Sequence, residues 1–396
     1  MKTAIVIGGG IAGCSTAFAL SKRGITVTLI ERHEKLAQEA SGNPIAVLYP
    51  KLTSTPSLNN DLTLAGFRYS LNLLNNLPRD AELFNACGLI QFAFNAREKA
   101  RQAQLLQQKI TLKMEAMTAL QANNHTGCSL SNFDGIFLPE AAWVNPALWC
   151  TALTQNIKTL FSSQALQLQK TDVGWRVQMA DLQTLEANIV VICSANDIKQ
   201  FSQCASAKIT PVRGQVNFFA ENEQSKNLKA IVCSNHFISP AVAGLHSIGT
   251  TYALNDLNHN LSEKDTQENL QALRKISAPL YENIDQKTIH GRVACRSQTQ
   301  DYMPLAGQLL DEDIIRKNPP RYNANPADLP WLQGLYVNAG HGSKGMITSP
   351  ICGELIACLA SNNALCVDVK LASKLNPSRF LLQELGLKQL SQTLYR

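Results

Sequence analysis

A chain of 396 residues with 45% apolar and 17% charged residues has the make-up of an ordinary globular protein, and its length exceeds one typical domain, so two are expected. A net charge of +6 is too mild to establish a nucleic-acid partner, no apolar run reaches the length of a membrane span, and glycines interrupt the first apolar stretch before it could act as a signal peptide. Eleven cysteines without CxxC spacing and seven scattered histidines offer no metal site and read as reduced, mostly buried thiols of a cytoplasmic protein.

Residues 4–7 form an apolar strand that runs into Gly8-x-Gly10-x-x-Gly13. An amphipathic helix follows, and a second strand ends on Glu31, 18 residues beyond Gly13. Gly8 permits the tight turn, Gly10 leaves room for a pyrophosphate against the backbone, and Gly13 lets the helix pack closely on the strand. The helix start, with Ile11 and Ala12, offers free amides and the positive dipole end to that anion. Glu31 stands at the spacing of a ribose-binding acid, with Arg32 beside it, and an acid there disfavours a 2′-phosphate, so FAD or NAD is expected rather than NADP.

Ser41-Gly42-Asn43-Pro44 is a dense turn signal, and residues 45–49 are an apolar β segment closed by Pro50. So polar a turn either folds over the cofactor through Ser41, Gly42 and Asn43 or is a plain surface loop. Residues 61–77 have helical apolar spacing and stop at Pro78. Residues 97–113 are predicted to be helical, with Arg97, Arg101, Lys109 and Lys113 at multiples of four; such a stripe is either a solvated face or a nucleic-acid contact.

An apolar run at 137–144 leads into Asn145-Pro146, a helix start. Residues 174–179 and 188–195 read as strands, the second apolar enough for a sheet covered on both faces, while 211–219 and 245–254 alternate in part, as in a sheet with one exposed face. Ser262-x-x-Asp265 is a capping box, and the polar, proline-rich residues 311–330 predict a long surface loop. Residues 334–361 then repeat the layout of strand, glycine turn (Gly340, Gly342, Gly345) and helix, a second anion-binding arrangement.

Together these segments resemble the FAD-dependent D-amino-acid oxidase superfamily, and more closely its tRNA-modifying branch, the FAD oxidoreductase half of bifunctional 5-methylaminomethyl-2-thiouridine biosynthesis proteins. The segment from Ala40 to Thr53, ASGNPIAVLYPKLT, points to that branch. Trp143 to Pro146, Arg213 to Val216, Arg296 with Asp301, Pro304 and Gly307, and Gly342 to Gly345 add superfamily matches. Lys344 stands where an arginine is common, and Gln300 where a basic residue precedes Asp301. The branch's bifunctional members have a methyltransferase domain ahead of this one; here the fingerprint comes first, so methyl transfer is expected from a separate protein.

The resemblance implies an α/β fold: a Rossmann-like FAD-binding domain of the glutathione-reductase type, from residues 1–80, 140–208 and 331–396. An inserted α+β substrate domain on an antiparallel or mixed sheet would take 81–139 and 209–330. It implies non-covalent FAD held by Gly8, Gly10, Ile11, Ala12, Gly13, Glu31, Arg32, Ser41, Gly42, Asn43, Gly342, Ser343, Lys344, Gly345 and Met346. The implied reaction is oxidation of 5-carboxymethylaminomethyl-(2-thio)uridine at the tRNA wobble position, releasing glyoxylate. Arg296 is the expected carboxylate clamp, with Lys344 and Gly345 at the reacting end and Arg292 a weaker candidate; His341 receives no proton-transfer role, and Cys295 reads as a buried thiol rather than a covalent flavin anchor. A glycine or sarcosine oxidase is the alternative, and a non-enzymatic tRNA-binding flavoprotein a third.

Overall fold

The computed structural model describes residues 2–78 and 80–395. The central sheet has six strands in the order Leu305–Leu310, Trp331–Ala339, Ile189–Ile192, Thr3–Ile7, Thr26–Ile30 and Lys158–Leu160. All neighbours are parallel except the first pair. Alternation sorts the first strand's side chains between two cores. Ala4 and Val6 pack towards the helix Ile11–Ser21, while Ile5 and Ile7 face Trp175 and Val177 of a three-stranded antiparallel sheet on the opposite side. Both faces are therefore covered, which is why these strands read as continuous apolar runs. The helix Gly345–Ala360 lies directly against Ile11–Ser21: a Cβ on Gly353 would stand 2.9 Å from Thr16 N.

The second large sheet is mixed and nine-stranded. Its spine is the antiparallel pair Ile209–Ala220 and His290–Thr299, registered from Ile209↔Thr299 to Phe218↔His290. Leu89–Phe92, Gly135–Leu138 and Glu115–Met117 extend it at one end. The strand Leu305–Leu310, however, pairs with Trp331–Ala339 in the nucleotide sheet, so we place the chain's return to that domain before residue 305 rather than at 331.

Three local expectations need correction. The helix expected over 97–113 is Ala96–Gln107 only. Ile110 and Thr111 are β-branched, and the buried Leu112 draws the chain out of the helix. Within the loop expected at 311–330, Glu312–Lys317 is helical, because the Asp311 carboxylate accepts from Ile314 N at 3.1 Å and acids precede bases along the helix. Only half of the capping box forms: Ser262 Oγ accepts from Asp265 N at 3.4 Å, but the Asp265 carboxylate pairs with Arg213.

Residues 369–391 add three short helices behind Leu305–Leu310. Asp301 ties them down. It accepts from Arg379 Nη2 at 2.9 Å, Arg379 Nε at 3.0 Å and Lys374 Nζ at 2.9 Å, and the Arg379 side chain is 1% exposed. Gly307, at φ +141°, lies under Tyr395, where a side chain would overlap the phenol oxygen. Among the described residues no helix is long and apolar enough to cross a membrane.

Candidate functional site

A cavity of about 550 Å³ opens where the C-terminal ends of the parallel strands meet the second sheet, lined at those ends by Ile7, Ile30, Cys193 and Ala339. One end is built by the glycine turn. Gly8 has φ +111°, and a Cβ there would stand 2.7 Å from Cys193 O, while one on Gly13 would overlap Gly8 O. Gly10 differs: a Cβ on it would meet only the Ser41 side chain, with Oγ at 3.2 Å and Cβ at 3.9 Å, within reach of the cavity. The helix that follows has no side-chain N-cap, and Ile11 N donates to Ser41 Oγ at 3.1 Å. A phosphate would find here a helix start whose remaining amides are free.

Glu31 is 6% exposed and accepts from Gly9 N at 2.6 Å and His33 N at 2.8 Å, one bond to each oxygen. Each oxygen keeps a further lone pair for a ribose hydroxyl. Arg32 bridges Asp197 and Glu39, at 2.8 Å each, on the cavity rim. The Ser41-Gly42-Asn43 turn does fold over the site. Arg292 holds it there, donating to Gln38 O at 2.7 Å, Glu39 O at 2.6 Å and Asn43 Oδ1 at 3.1 Å. A side chain on Gly42 would overlap that guanidinium, which explains a glycine at this place.

The opposite wall comes from the chain's last third. His341 Nε2 and Asn338 Oδ1 are 2.9 Å apart, Nδ1 and Thr348 Oγ1 2.8 Å, and burial pulls the imidazole down to about 3. It is neutral and fully engaged. Gly342, Ser343, Gly345 and Met346 line the cavity ahead of the helix Gly345–Ala360, which has no side-chain cap. Lys344 does not line it; its Nζ donates to Asn59 Oδ1 at 3.1 Å and Thr63 Oγ1 at 3.2 Å, and burial together with nearby Lys51 lowers its pKa.

Arg296 lies in the wall between the two sheets. Its Nη2 donates to Thr250 Oγ1 at 2.7 Å, with Thr251 O at 3.5 Å. Register places Val212 opposite it and Gly214 diagonally across, and a side chain on Gly214 would overlap the guanidinium. No carboxylate pairs with Arg296 among the described residues, and burial lowers its pKa while Tyr252 and Cys295 oppose that shift. The neighbouring acids Asp256 and Asp265 are committed to Arg213, which also donates to Asn258 O and Asn260 O at 2.7 Å. Cys295 Sγ lies 3.5 Å from Asp256 O, and burial pushes its thiol up.

The cavity thus brings together Gly8, Gly10, Ile11, Ala12, Glu31, Arg32, Ser41, Asn43, Arg296, Gly342, Ser343, Gly345 and Met346, while Gly13, Gly42 and Lys344 support its walls from behind. Ser194 Oγ, Asn196 Oδ1, Ser297 Oγ and Ser349 Oγ also belong to its walls; all four are buried without a hydrogen-bond partner among the described residues. Unmet polar atoms in a roomy cavity are what a polar cofactor satisfies, so the residues present fit a flavin dinucleotide. Isolated serines and asparagines carry no periodic signal, and nothing in the sequence marks these four.

Gly10→Val is expected to fold, because Gly10 is extended (φ −81°, ψ −179°), yet its branched side chain fills the phosphate position. Gel-filtered variant should show a circular dichroism melt near that of apo-protein and at least a tenfold weaker hold on FAD. Stoichiometric flavin would show that the phosphate lies elsewhere.

The sequence matches the family described as FAD dependent oxidoreductase (DAO) over residues 3–359. It is 38% identical over 391 residues to the tRNA 5-methylaminomethyl-2-thiouridine biosynthesis bifunctional protein MnmC of Methylobacillus flagellatus, covering 98% of this chain and 60% of that protein. The namesake from Pseudomonas syringae pv. syringae is likewise 38% identical, over 97% of this chain and 59% of its own length. The chain therefore spans about 60% of the curated relatives it matches. Among solved structures, glycine oxidase from Bacillus cereus superimposes with TM-score 0.76 at 20% identity, over 91% of this chain and 95% of that one. L-proline dehydrogenase from P. horikoshii gives 0.76 at 17% identity, over 96% and 98%.

Proposed function

From the premise that the chain belongs to the FAD-dependent oxidoreductase (DAO) family and uses FAD, we propose that it oxidises 5-carboxymethylaminomethyl-(2-thio)uridine at the wobble position of tRNA, removing the carboxymethyl group as glyoxylate and leaving 5-aminomethyl-(2-thio)uridine. The observation that carries this reading is Arg296, a guanidinium in the cavity wall that pairs with no acid among the described residues. The likeness to the bifunctional relatives, across nearly the whole chain, supports the choice of tRNA.

The chemistry FAD supplies when bound is acceptance of the hydride from the carbon between the secondary amine and the carboxylate, after which loss of the amine proton and hydrolysis of the C=N bond give the primary amine and glyoxylate. Arg296 grips the carboxylate with two parallel N–H bonds, and Thr250 fixes the guanidinium plane. The same cation disfavours a proton on the nearby amine, which must be neutral to react. His341, neutral and bonded at both nitrogens, moves no proton. Gly342 to Met346 turn a helix start towards the cavity, where its amides and dipole would favour a negatively charged group of a bound flavin; Lys344, behind them, would add a positive field. The primary amine left behind is the substrate of a methyltransferase, a partner we place outside the family region of residues 3–359.

Anaerobic mixing tests the proposal. Purified holoenzyme with tRNA bearing 5-carboxymethylaminomethyluridine should lose its visible flavin absorbance and release one glyoxylate per flavin, with little response to glycine. Bleaching by glycine alone would identify an oxidase of free amino acids instead.

A further inference from the structure

The basic stripe at 97–113 has a place in the fold that its sequence does not disclose. Residues 95–115 hold five Lys and Arg against two acids, a net +3 out of the chain's +6. One cation is not free: Arg101 pairs with Glu98 at 2.8 Å and donates to Gln91 Oε1 at 2.9 Å and Leu52 O at 2.6 Å. That last bond straps the helix Ala96–Gln107 to the segment after Pro50, and Gln108 Nε2, donating to Ser54 O at 2.5 Å, continues the strap. Arg68, on the helix Leu58–Asn75, hydrogen-bonds Thr111 from the other side.

Arg97, one turn before Arg101, falls on the flank of the helix that faces this segment. Lys109 and Lys113 follow in the strapped stretch. Arg97, Lys109, Lys113, Arg68 and Lys51 are all exposed, and none makes an ion pair among the described residues; Asp61 and Glu115 are the acids at the margin. Lys51 belongs to both places, because it also lines the cavity that holds Arg296. A band of five cations therefore leads to the mouth of the active cavity.

We propose that this band is the docking surface for the phosphate backbone of the RNA substrate, placed so that a backbone seated on it presents one base to the cavity mouth at Lys51. The assignment rests on the tRNA reading above. A polyanion entering the mouth must pass Lys51, and a small amino-acid substrate would have no use for a cationic band outside the cavity.

The triple variant Arg97→Glu/Lys109→Glu/Lys113→Glu, as holoenzyme, tests this by two readouts. The first is fluorescence anisotropy with a labelled unmodified tRNA, which needs no turnover. The second is anaerobic flavin reduction by the free nucleoside 5-carboxymethylaminomethyluridine, which carries the reacting group without the backbone. Expected are at least tenfold weaker tRNA binding and a slope of log K against log salt shallower by about 2–3, roughly one unit per lost phosphate contact. Flavin reduction by the nucleoside should match that of the unaltered protein. Lys99→Glu serves as the control for net charge, since Lys99 lies on the opposite flank of the same helix and should change binding far less.

Unchanged tRNA affinity and salt slope in the triple variant would overturn the proposal, as would equal weakening by Lys99→Glu, or binding of anionic phospholipid vesicles in preference to tRNA. If the unaltered protein binds tRNA through this band but oxidises only free amino acids, the band stands and the proposed reaction falls.

Discussion

Arg296→Ala should keep its yellow flavin but reduce that flavin with substrate about 10²–10⁴-fold less efficiently in kcat/KM, because two charge-assisted hydrogen bonds and the alignment they impose disappear together. The guanidinium touches none of the residues that shape the phosphate end of the cavity, so FAD content should not change. Its removal also leaves no buried acid unpaired, since none pairs with it among the described residues, and the fold should survive. Arg296→Lys should recover only part of the rate, for an ammonium keeps the charge but cannot form the planar fork held by Thr250. Stopped-flow reduction under anaerobic conditions is the measurement. Kinetics identical to those of the unaltered protein would remove Arg296 from the site and with it the main support for a carboxylate substrate.

Asp301→Ala is expected to cost about 3–5 kcal/mol of stability, the effect of leaving one member of a buried ion pair alone. The abandoned charge is that of Arg379, whose side chain is 1% exposed and keeps only carbonyl acceptors such as Met303 O at 2.6 Å. Burial by itself would raise the Asp301 carboxyl, but Arg379 and then Lys374 outweigh it and hold it at about 2. The sign follows from linkage. A folded-state value below the unfolded one, about 3.9, means stabilisation that is complete above about pH 4 and lost as the pH falls through about 2. Urea unfolding followed by circular dichroism should show a wide gap between the variant and the unaltered protein at pH 6 and a narrower one near pH 3. A gap that is absent at pH 6 would mean that the C-terminal helices are held by their apolar contacts alone.

The parts of the site legible in the sequence are those where backbone geometry dictates the residue. Gly8 with its positive φ and Gly13 with no room for a Cβ admit little else, so spacing alone locates the turn, and Glu31 follows from the length of one helix and one strand. Arg296 is legible only through its resemblance to a family; its lack of an acidic partner depends on Arg213 engaging Asp256 and Asp265, a tertiary outcome. Lys344 shows the reverse. Its position beside the glycine turn is plain, but the turn directs its side chain to Asn59 and Thr63 on a helix from a distant part of the chain. Ser41 could be read as cofactor ligand or loop because the decision lies with Arg292, some 250 residues away, which draws the turn inwards. The helix Glu312–Lys317 is too short for a periodic signal to outweigh the prolines that follow it.

The two uncapped helix starts that face the cavity, at Ile11 and Gly345, come from segments far apart in sequence, and the sheet between them closes only when Trp331–Ala339 settles beside Ile189–Ile192. During synthesis the first half of the flavin cradle leaves the ribosome long before the second. Cofactor loading is then a late event in the life of each molecule, because it waits for two segments that are far apart in the chain. Until the two segments meet, the Gly345–Ala360 helix, apolar along most of its length, lacks the partner it has in Ile11–Ser21 and leaves that apolar surface exposed.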